Sequence, residues 1–449
     1  MYIGVDFGTT NSGAAYFDGR QVHLLPIDRA SLDPVVMRSI LYITRDHEVC
    51  FGKEAIDAYY RQNVGRPSKM ARQWVGEIEM TFAEIGTFVR DVYVMVDELT
   101  PGRLLRSLKS ELATSYEGTS VFGHYYKLEE LIALFLQRVR ERVEHETGEA
   151  AEGVVLGRPV NFSGSENGEG NGRAIARLRD AALQAGFRHV TFELEPVAAA
   201  LHYGSTVREP QNILVFDFGG GTLDITVMRI GEPGGEHVYA TGGVGIAGDV
   251  FDQRLVGGLL IEHFGRGSTW GSDQARFPDM YTDALVNWQT VMELNRPETL
   301  HFLRWAQLTG SHPARVRALE SLLVNNYAVR MFDEVESAKA ALSADRFALI
   351  ELAGEDLYVW QPVTRAQFEH LIAEDTERIE HCLLDTLSRS GLQTDQIDAV
   401  VRTGGSAQVP CFIEMLHAVF GPERVVLSSV FSGVTAGLAI RAAQARPGR

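Results

Sequence analysis

Two stretches of the chain show the same order of apolar, acidic and glycine-rich positions. Residues 2–13 read YIGVDFGTTNSG, and residues 213–224 read ILVFDFGGGTLD. In each stretch an apolar run ends in Asp-Phe-Gly, a cluster of glycine and threonine follows, and apolar residues soon resume. Apolar runs of this length on either side of turn-forming residues are typical of two strands joined by a tight turn. The pattern therefore predicts a β-hairpin at each place.

The two hairpins are related as copies. Asp6 and Asp217 hold the same register, 211 positions apart, and the match runs through apolar and glycine positions together. Solenoid repeats have a period of about 20–50 residues, so this interval instead predicts two copies of one lobe. Two unrelated hairpins are the alternative.

The chemistry of these turns suits phosphate. Glycine and threonine let backbone N–H groups converge on an anion with little side-chain bulk in the way. A carboxylate at the end of the preceding strand repels phosphate, so Asp6 and Asp217 call for a Mg²⁺ ion held largely through its own waters. The pair predicts two turns that hold a triphosphate from both sides. No GxxxxGK[ST] motif occurs, which excludes a P-loop site.

Between and after the hairpins, predicted strands alternate with predicted helices. The predicted helices are 128–142, 173–185 and 332–341. The predicted strands are 154–160, 191–195 and 399–403. A loop is predicted over 161–171, and a glycine-rich turn over 242–252 leads into a helix from 251. The alternation predicts an α/β fold, with a mixed sheet flanked by helices in each lobe.

Chain length sets the expected domain organisation. A single core rarely grows beyond roughly 250–300 residues, so 449 residues predict two lobes. We expect lobe I over 1–205 and lobe II over 206–441, with a helical insertion at about 265–330. The final helix is expected to pack back toward lobe I, and 442–449 to form a frayed tail.

Composition narrows the function classes. The net charge of −17 disfavours binding to nucleic acid or to an anionic membrane. Cys50, Cys382 and Cys411 are far apart and form no CxxC pair, which predicts free thiols. No apolar stretch reaches the roughly 18 residues of a membrane span, and no secretion signal is visible. We therefore expect a cytoplasmic protein.

Seven sequence blocks carry a family resemblance. They are DFGTTNS (6–12), GRPVNF (157–162), EPVAAALHYG (195–204), DFGGGTLD (217–224), GIAGDVFDQRL (245–255), ESAKAALS (336–343) and TGGSAQVP (403–410). Their order resembles the actin, sugar-kinase and Hsp70 superfamily, the Hsp70 branch in particular, and within it the short bacterial YegD-type group of DnaK-like proteins. The resemblance implies an actin-like ATPase fold that corresponds to the nucleotide-binding half only, without a peptide-binding domain.

The resemblance implies a role for each matching residue. Asp6 and Asp217 would hold hydrated Mg²⁺ and K⁺ ions, Glu195 would position the attacking water, and Pro159 would be a switch. The implied catalytic residues are Asp6, Lys109, Glu195, Asp217 and Thr222. The implied residues that bind ATP or ADP are Gly8, Thr9, Thr10, Asn11, Gly219, Gly220, Gly221, Asp224, Gly248, Glu336, Lys339, Ser343, Gly404, Gly405 and Ser406.

Three of these assignments have plainer alternatives. Lys109 could be a solvated helix lysine, and Glu195 a carboxylate that caps the helix beginning at Pro196. Glu336, Lys339 and Ser343 recur on one helix face, which could equally be a solvated face.

The sequence also departs from the family pattern. Two arginines that stack on adenine in Hsp70s are replaced by Ala340 and Gln408, and a family aspartate falls at about Phe431. The arginine that partners the switch proline has no clear match, and Arg173 and Arg177 are only nearby. We therefore expect adenine binding, and signalling through Pro159, to be altered relative to the family pattern.

The resulting functional hypothesis is slow ATP hydrolysis coupled to lobe closure and to the binding of a protein partner or client. A small-molecule kinase and an actin-like filament protein of the same superfold are the alternatives.

Overall fold

The computed structural model describes residues 1–82, 86–163, 168–231, 236–428 and 432–445. The chain divides into two compact units. Unit 1 comprises Met1–Ala58, Arg103–Phe251 and Ile372–Arg449, and unit 2 comprises Tyr59–Gly102 and Asp252–Leu371. Both hairpins predicted from the repeat lie in unit 1, so this unit is the one that positions the candidate site.

The strands, in chain order, are β1 (Tyr2–Phe7), β2 (Asn11–Phe17), β3 (Val22–Leu24), β4 (Met37–Arg38), β5 (Ile40–Thr44), β6 (Val49–Phe51), β7 (Met70–Phe82), β8 (Gly86–Asp97), β9 (Gly102–Arg106), β10 (Gly118–Val121), β11 (His124–Lys127), β12 (Gly153–Arg158), β13 (His189–Leu194), β14 (Gln211–Phe218), β15 (Leu223–Ile230), β16 (His237–Val244), β17 (Thr269–Trp270), β18 (Ala275–Arg276), β19 (Phe347–Gly354), β20 (Leu357–Thr364), β21 (Ala399–Thr403) and β22 (Val425–Leu427).

The α-helices, in chain order, are α1 (Gly52–Gln62), α2 (Leu128–Thr147), α3 (Gly168–Gln184), α4 (Glu195–Gly204), α5 (Gly248–Leu255), α6 (Asp279–Asp283), α7 (Trp288–Glu293), α8 (Pro297–Thr309), α9 (Pro313–Val324), α10 (Ala328–Ala344), α11 (Arg365–Leu371), α12 (Ala373–Ser390), α13 (Pro410–Phe420) and α14 (Gly433–Gln444).

The first sheet of unit 1 is mixed and has the strand order β13-β12-β1-β2-β3, with β4 paired to β2. The predicted hairpin forms from β1 and β2, which are antiparallel and place Asp6 opposite Gly13. Strand β1 is parallel to β12, and β12 is parallel to β13. Parallel neighbours bring the ends of β1 and β12 and the start of α4 to one edge of the sheet.

The second sheet repeats this plan. Its order is β22-β21-β14-β15-β16, with β14 and β15 antiparallel and with β14, β21 and β22 parallel. Asp217 here lies opposite Asp224. Strand for strand, the two sheets therefore have the same connectivity, which confirms the prediction of two structural copies.

Small residues allow close packing between the two sheets. Helices α4 and α14 share a core with β12, β14 and β21 that includes Val155, Val215 and Leu438. A Cβ atom on Gly437 would collide with the backbone of Ala198, and one on Gly4 with the backbone of α14. The helices therefore approach each other, and the first sheet, at backbone distance.

A larger core covers the other face of the first sheet. It is built by the apolar stripes of α2 and α3, including Phe135, Val139 and Leu178, against Ile3 and Val154. The α2 stripe matches the apolar spacing that predicted a helix from residue 128.

Unit 2 is mainly helical. It contains the hairpin of β19 and β20, against which α10 packs, and the helix pair of α8 and α9. Helices α6 to α9 fall within the predicted insertion at 265–330, together with the short hairpin of β17 and β18. The sequence analysis did not predict the hairpin of β7 and β8. This hairpin lies in the residue range expected to form lobe I, but it belongs to unit 2.

Several boundaries differ from the prediction. Helix α5 begins at Gly248 and not at Phe251, because β16 ends at Val244 and the first helical turn already includes Gly248 and Asp249. Helix α3 begins at Gly168, inside the predicted loop. The last helix continues to Gln444. Within the described ranges, no helix is long and apolar enough to cross a membrane.

Candidate functional site

The first turn, residues 6–13, is held from outside the hairpin. A Cβ on Gly8 would collide with the carbonyl oxygen of Asn11, so this tight turn requires glycine there. The Ser39 backbone N–H donates to the Thr10 carbonyl at 2.9 Å, and its hydroxyl donates to the Gly8 carbonyl at 2.7 Å. Ser12 and Ser39 hydroxyls are 2.8 Å apart. These bonds fix the turn's carbonyls on one side.

The second turn, residues 217–224, is held by three segments. Gly219 N–H donates across the turn to the Thr222 carbonyl at 3.1 Å, and Asp249 N–H donates to the Gly220 carbonyl at 2.9 Å. The Ser406 hydroxyl donates to the Gly219 carbonyl at 2.7 Å. Gly404 has a φ of 85°, and a Cβ there would collide with Phe218. The loop at 404–406 therefore supports the second turn directly.

The two turns meet within unit 1. A Cβ on Gly221 would lie 2.8 Å from the Thr9 hydroxyl, and one on Gly220 would collide with the Thr10 hydroxyl. Real Cβ atoms essentially never lie under 3.0 Å from a heavy atom, so the glycines of one turn leave the space that the threonines of the other use. The structure thus brings these four predicted phosphate-binding residues together.

Four carboxylates and one lysine gather behind the turns. Burial raises the pKa of Asp6 to about 7, with the charge of Glu195 adding to the effect and that of Lys109 opposing it. Burial also raises the pKa of Asp217 well above its ordinary value, and Glu195, Asp224 and Asp6 raise it further. The pKa of Asp224 rises to about 7, from burial and then from the charge of Glu195. All three shifts disfavour ionisation, so these carboxylates resist carrying negative charge together.

Lys109 and Glu195 form its one buried ion pair. Lys109 Nζ donates to Glu195 Oε1 at 2.6 Å, and both residues are less than a tenth exposed. Burial by itself lowers the pKa of Lys109, but the charges of Glu195, Asp6 and Asp224 together raise it above its ordinary value. The lysine thus stays protonated, and it is not the solvated helix lysine that the sequence left open.

Local structure aims both members of the pair inward. Lys109 lies in the 3₁₀ turn Leu108–Glu111, which begins after Ser107 at a φ of 57°. Glu195 is the first residue of α4, with Pro196 behind it as a favourable N-terminal residue. The Glu195 carboxylate accepts a hydrogen bond from the Lys109 ammonium group, so it does more than cap the helix that begins at this residue.

Asp224 links the cluster to the segment after Pro159. Its Oδ1 accepts a hydrogen bond from Val160 N–H at 2.8 Å, and its Oδ2 accepts one from the Thr222 hydroxyl at 2.9 Å. Arg158 donates to the Pro159 carbonyl at 3.3 Å. The register of the β14 and β15 ladder, which places Asp224 opposite Asp217, is the reason that this carboxylate joins the cluster.

The two arginines that the sequence placed near the switch have other partners. Arg173 donates to the carbonyls of Ala113 and Thr114, and Arg177 pairs with Glu129 at 3.1 Å. They brace the segment just after Lys109, because α3 packs beside it.

The cluster fits a hydrated divalent cation. Buried carboxylates that cannot all ionise alone would be neutralised by such an ion. Within the described ranges, no three His, Cys, Asp or Glu side chains lie close enough to ligate one metal together. Mg²⁺ keeps several of its waters and commonly meets carboxylates through them, so an ion that compensates these charges does not need direct ligation by the side chains.

The residues predicted to meet ribose and adenine fall in both units. Glu336, Lys339 and Ser343 lie on α10 in unit 2, and Lys339 Nζ is 2.7 Å from Asp252 Oδ1. Gly404 to Ser406 lie in unit 1, as does Gly248, whose N–H donates to the Gly219 carbonyl at 3.4 Å. Their shared role in holding the nucleoside stays a prediction. Phe431 lies outside the described residues.

Sequence reasoning missed Ser39 and Arg402. Ser39 supports the first turn from 31 residues away. Buried Arg402 donates to the Ala407 carbonyl at 2.6 Å and so supports the loop at 404–406. For Arg402 the available signal was an arginine near the end of an otherwise apolar strand. For Ser39 the sequence offered no local signal.

One comparison with known proteins bears on this site. A family model described as Hsp70 protein matches residues 2–275 and 322–447. Both turns, Lys109, Glu195 and the loop at 404–406 lie inside the matched ranges. Residues 276–321, within the helical part of unit 2, are left unmatched.

Proposed function

Because this chain belongs to the Hsp70 family, whose members are ATP-binding, chaperone-like ATPases with the actin-like ATPase fold, we propose that it hydrolyses ATP slowly and uses its nucleotide state to control partner binding. The observation that carries the proposal is the cluster of Asp6, Lys109, Glu195, Asp217 and Asp224 behind two contacting glycine-rich turns.

The two turns would bind the phosphates. Backbone N–H groups and the hydroxyls of Thr9, Thr10 and Thr222 supply donors, and glycine at 219–221 keeps the approach open. Thr222 donates to Asp224 in the structure, so its hydroxyl is already oriented by the cluster. The ordering of these donors before the ligand arrives lowers the cost of binding.

Mg²⁺, when bound, would neutralise phosphate charge as it develops. Asp6 and Asp217 would hold the ion through its waters. The same two carboxylates would also lie beside K⁺. We propose that these side chains contact the ion through water, because Mg²⁺ gives up its waters reluctantly.

Glu195 and Lys109 would act on the attacking water. Glu195 Oε1 is engaged by Lys109, so its second oxygen, Oε2, is the atom that would orient water or accept its proton. Lys109, held protonated by the surrounding carboxylates, would place positive charge beside the reacting phosphate. Most of the rate enhancement would then come from positioning and electrostatics.

Asp224 would transmit a change of nucleotide from the second turn to the segment beside Pro159. It touches both the second turn, through Thr222, and the backbone beside Pro159, through Val160. A change of charge at the turn would alter these two hydrogen bonds together. We propose that this route couples nucleotide to lobe closure, and that closure alters the binding of a protein partner or client.

The test is equilibrium binding beside single-turnover hydrolysis. We expect calorimetry to show ATP and ADP binding that depends on Mg²⁺, and radiolabelled ATP to be converted slowly to ADP and phosphate. No binding at millimolar nucleotide with Mg²⁺ would overturn the proposal. Transfer of phosphate to a small molecule, or nucleotide-dependent pelleting of the protein, would instead favour the kinase or the filament protein.

A further inference from the structure

The helix pair of α8 and α9 lies mostly in the segment of unit 2 that the family model leaves unmatched. A short loop at 310–312 joins the helices, and their facing sides bury residues such as Leu303 and Leu319. Arg304 Nε lies 2.7 Å from Glu320 Oε1, which ties the outer edges of the two helices together. This is an αα-hairpin with an outward side.

That outward side has a regular pattern on α8. His301, Arg304, Trp305 and Leu308 follow the i, i+3, i+4, i+7 spacing of one helix face, and all four are exposed. Leu308 is 86% exposed and Trp305 is 47% exposed. Two large apolar side chains one turn apart on a solvent-facing helix are unusual enough to indicate a contact surface.

An aromatic cluster fixes the tryptophan in place. The ring of Trp305 lies 4.7 Å from that of Trp270, centroid to centroid, and Trp270 lies 5.1 Å from Phe302. Phe302 in turn stacks on Tyr281 at 4.9 Å. An exposed aromatic ring that is already immobile loses little entropy on binding, as is typical of interface anchor residues.

The segment that carries most of this face, residues 299–319, is basic in a chain whose net charge is −17. Residues 299–319 contain no Asp or Glu, but they contain Arg304, Arg315 and Arg317 and two histidines. Of the arginines, Arg304 pairs with Glu320. Arg315 and Arg317 make no ion pair with any residue in the ranges that the structure describes.

Helix geometry places one of these arginines beside the leucine. Arg304 and Glu320 are in contact across the pair. One turn nearer the connecting loop, Leu308 follows Arg304 on α8 and Arg317 precedes Glu320 on α9. Leu308 and Arg317 therefore lie on the same side of the hairpin. We name His301, Arg304, Trp305, Leu308 and Arg317 the α8 face.

We propose that the α8 face binds an acidic amphipathic segment of a partner protein. The apolar side chains of such a segment would cover Trp305 and Leu308, and its carboxylates would meet Arg317 and His301. Charge complementarity favours this occupant over an anionic bilayer, because a bilayer would also face the acidic remainder of the chain. The α8 face lies in unit 2, and the two glycine-rich turns lie in unit 1.

The probe is a fluorescein-labelled helical peptide with Glu on one face and Leu and Phe on the other. Its binding to the full chain is followed by fluorescence anisotropy. We expect saturable binding that Leu308→Glu and Arg317→Glu each weaken at least about tenfold. The matched controls are Leu32→Glu and Arg20→Glu, an exposed leucine and an exposed arginine of unit 1, which should leave affinity unchanged. Thermal unfolding of each variant verifies its fold.

Four outcomes would overturn the proposal. They are absence of saturable binding, equal loss with the control variants, equal binding of a peptide with Lys in place of Glu, and unchanged binding by Leu308→Glu. Two further measurements name a different occupant. Self-association that Leu308→Glu abolishes, without peptide binding, would assign the α8 face to a second copy of the chain. Sedimentation with phosphatidylglycerol vesicles, lost in Arg317→Glu, would assign it to a membrane.

Discussion

The turn at 6–13 and the turn at 217–224 have the same strand pairing but different side chains. Each closes a hairpin whose first strand is parallel to a neighbour, and each places an aspartate at the same ladder position. Where the first has Thr9 and Thr10, the second has Gly220 and Gly221. The copies therefore have one topology and two side-chain compositions.

Their contact explains the asymmetry. Thr9 is equivalent in the repeat to Gly220 but lies against Gly221, while Thr10 is equivalent to Gly221 but lies against Gly220. Such an exchange of equivalents is expected of two copies related by an approximate two-fold rotation. Threonine in both turns would overfill the contact. At this contact, hydroxyl side chains therefore fit on one of the two turns only.

A second difference lies at the end of each turn. Gly13 stands opposite Asp6, whereas Asp224 stands opposite Asp217. A Cβ on Gly13 would lie 2.7 Å from the Thr435 hydroxyl of α14, so only glycine fits there. The second turn has room for a carboxylate, and it is the one that reaches the Pro159 segment. The first turn thus supplies the two hydroxyls at the contact, and the second supplies the additional carboxylate.

The largest expected effect tests whether catalysis rests on the ion pair rather than on either turn. Glu195→Gln should lower kcat about 10²–10⁴-fold, because the neutral amide cannot accept a proton yet can still accept the hydrogen bond from Lys109. ATP affinity should change little, since the interaction acts mainly in the transition state. Single-turnover hydrolysis beside calorimetry measures both quantities.

Lys109→Ala is the companion variant. It should also slow hydrolysis, but it leaves Glu195 buried without its cation, so the protein should lose about 3–5 kcal/mol of stability. The double variant Lys109→Met, Glu195→Leu should recover much of that stability and no activity. Equal hydrolysis by wild type and Glu195→Gln would refute the assignment of this residue.

The next effect compares the two aspartates. Asp217→Asn should weaken Mg·ATP binding at least about tenfold, because a charge that faces the bound ion is lost. The same change should raise the unfolding temperature of the ligand-free protein, because Asp217 is buried among Glu195, Asp224 and Asp6. Asp6→Asn should shift both quantities in the same directions but less, since fewer carboxylates face it.

Calorimetry and thermal unfolding, each with and without Mg²⁺, decide this prediction. A ligand-free Asp217→Asn protein that melts below wild type would show that the carboxylate is already compensated. The inference that the second turn carries additional uncompensated negative charge would then be wrong.

A smaller effect tests the crossed contact between the turns. Gly220→Ala should cost about 1–3 kcal/mol of stability, because the added methyl would collide with Thr10. Gly219→Ala is the matched control, because the nearest atom to its Cβ would be 4.0 Å away. Adding Thr10→Gly to Gly220→Ala should restore the packing. Urea unfolding measures all three variants, and an equal loss for Gly219→Ala would argue against the contact.

The smallest expected effect concerns recognition of the nucleotide base, in contrast to the phosphate contacts expected of the turns. With Ala340 and Gln408 in place of stacking arginines, ATP and GTP affinities should differ little, because phosphate contacts dominate. Gln408→Arg should strengthen ATP binding by about 0.5–2 kcal/mol if the guanidinium stacks on adenine. Competition calorimetry measures both. A strong preference of the wild type for ATP would show that other residues read the base.

Much of the site was predictable because its signals are local. The Asp-Phe-Gly runs, the glycine clusters and the apolar spacing of α2 depend on neighbours a few residues apart, and these determine strands, turns and helix faces. The repeat of 211 positions then predicted two copies, and the family match bears out the fold. Glu195 was likewise marked by its block from 195 to 204.

What the sequence determined by itself is the pair of hairpins, the α/β class and the two glycine-rich turns that are predicted to bind phosphate. Only the tertiary structure decided which turn carries hydroxyls into the contact, that Ser39 braces the first turn, and that Lys109 is buried against Glu195 across 86 residues of chain. It also decided that α8 presents Trp305 and Leu308 to solvent, although its apolar content alone reads as core. Each of these depends on residues far apart in the chain, whose distance is set by how whole sheets and helices pack and not by any local propensity.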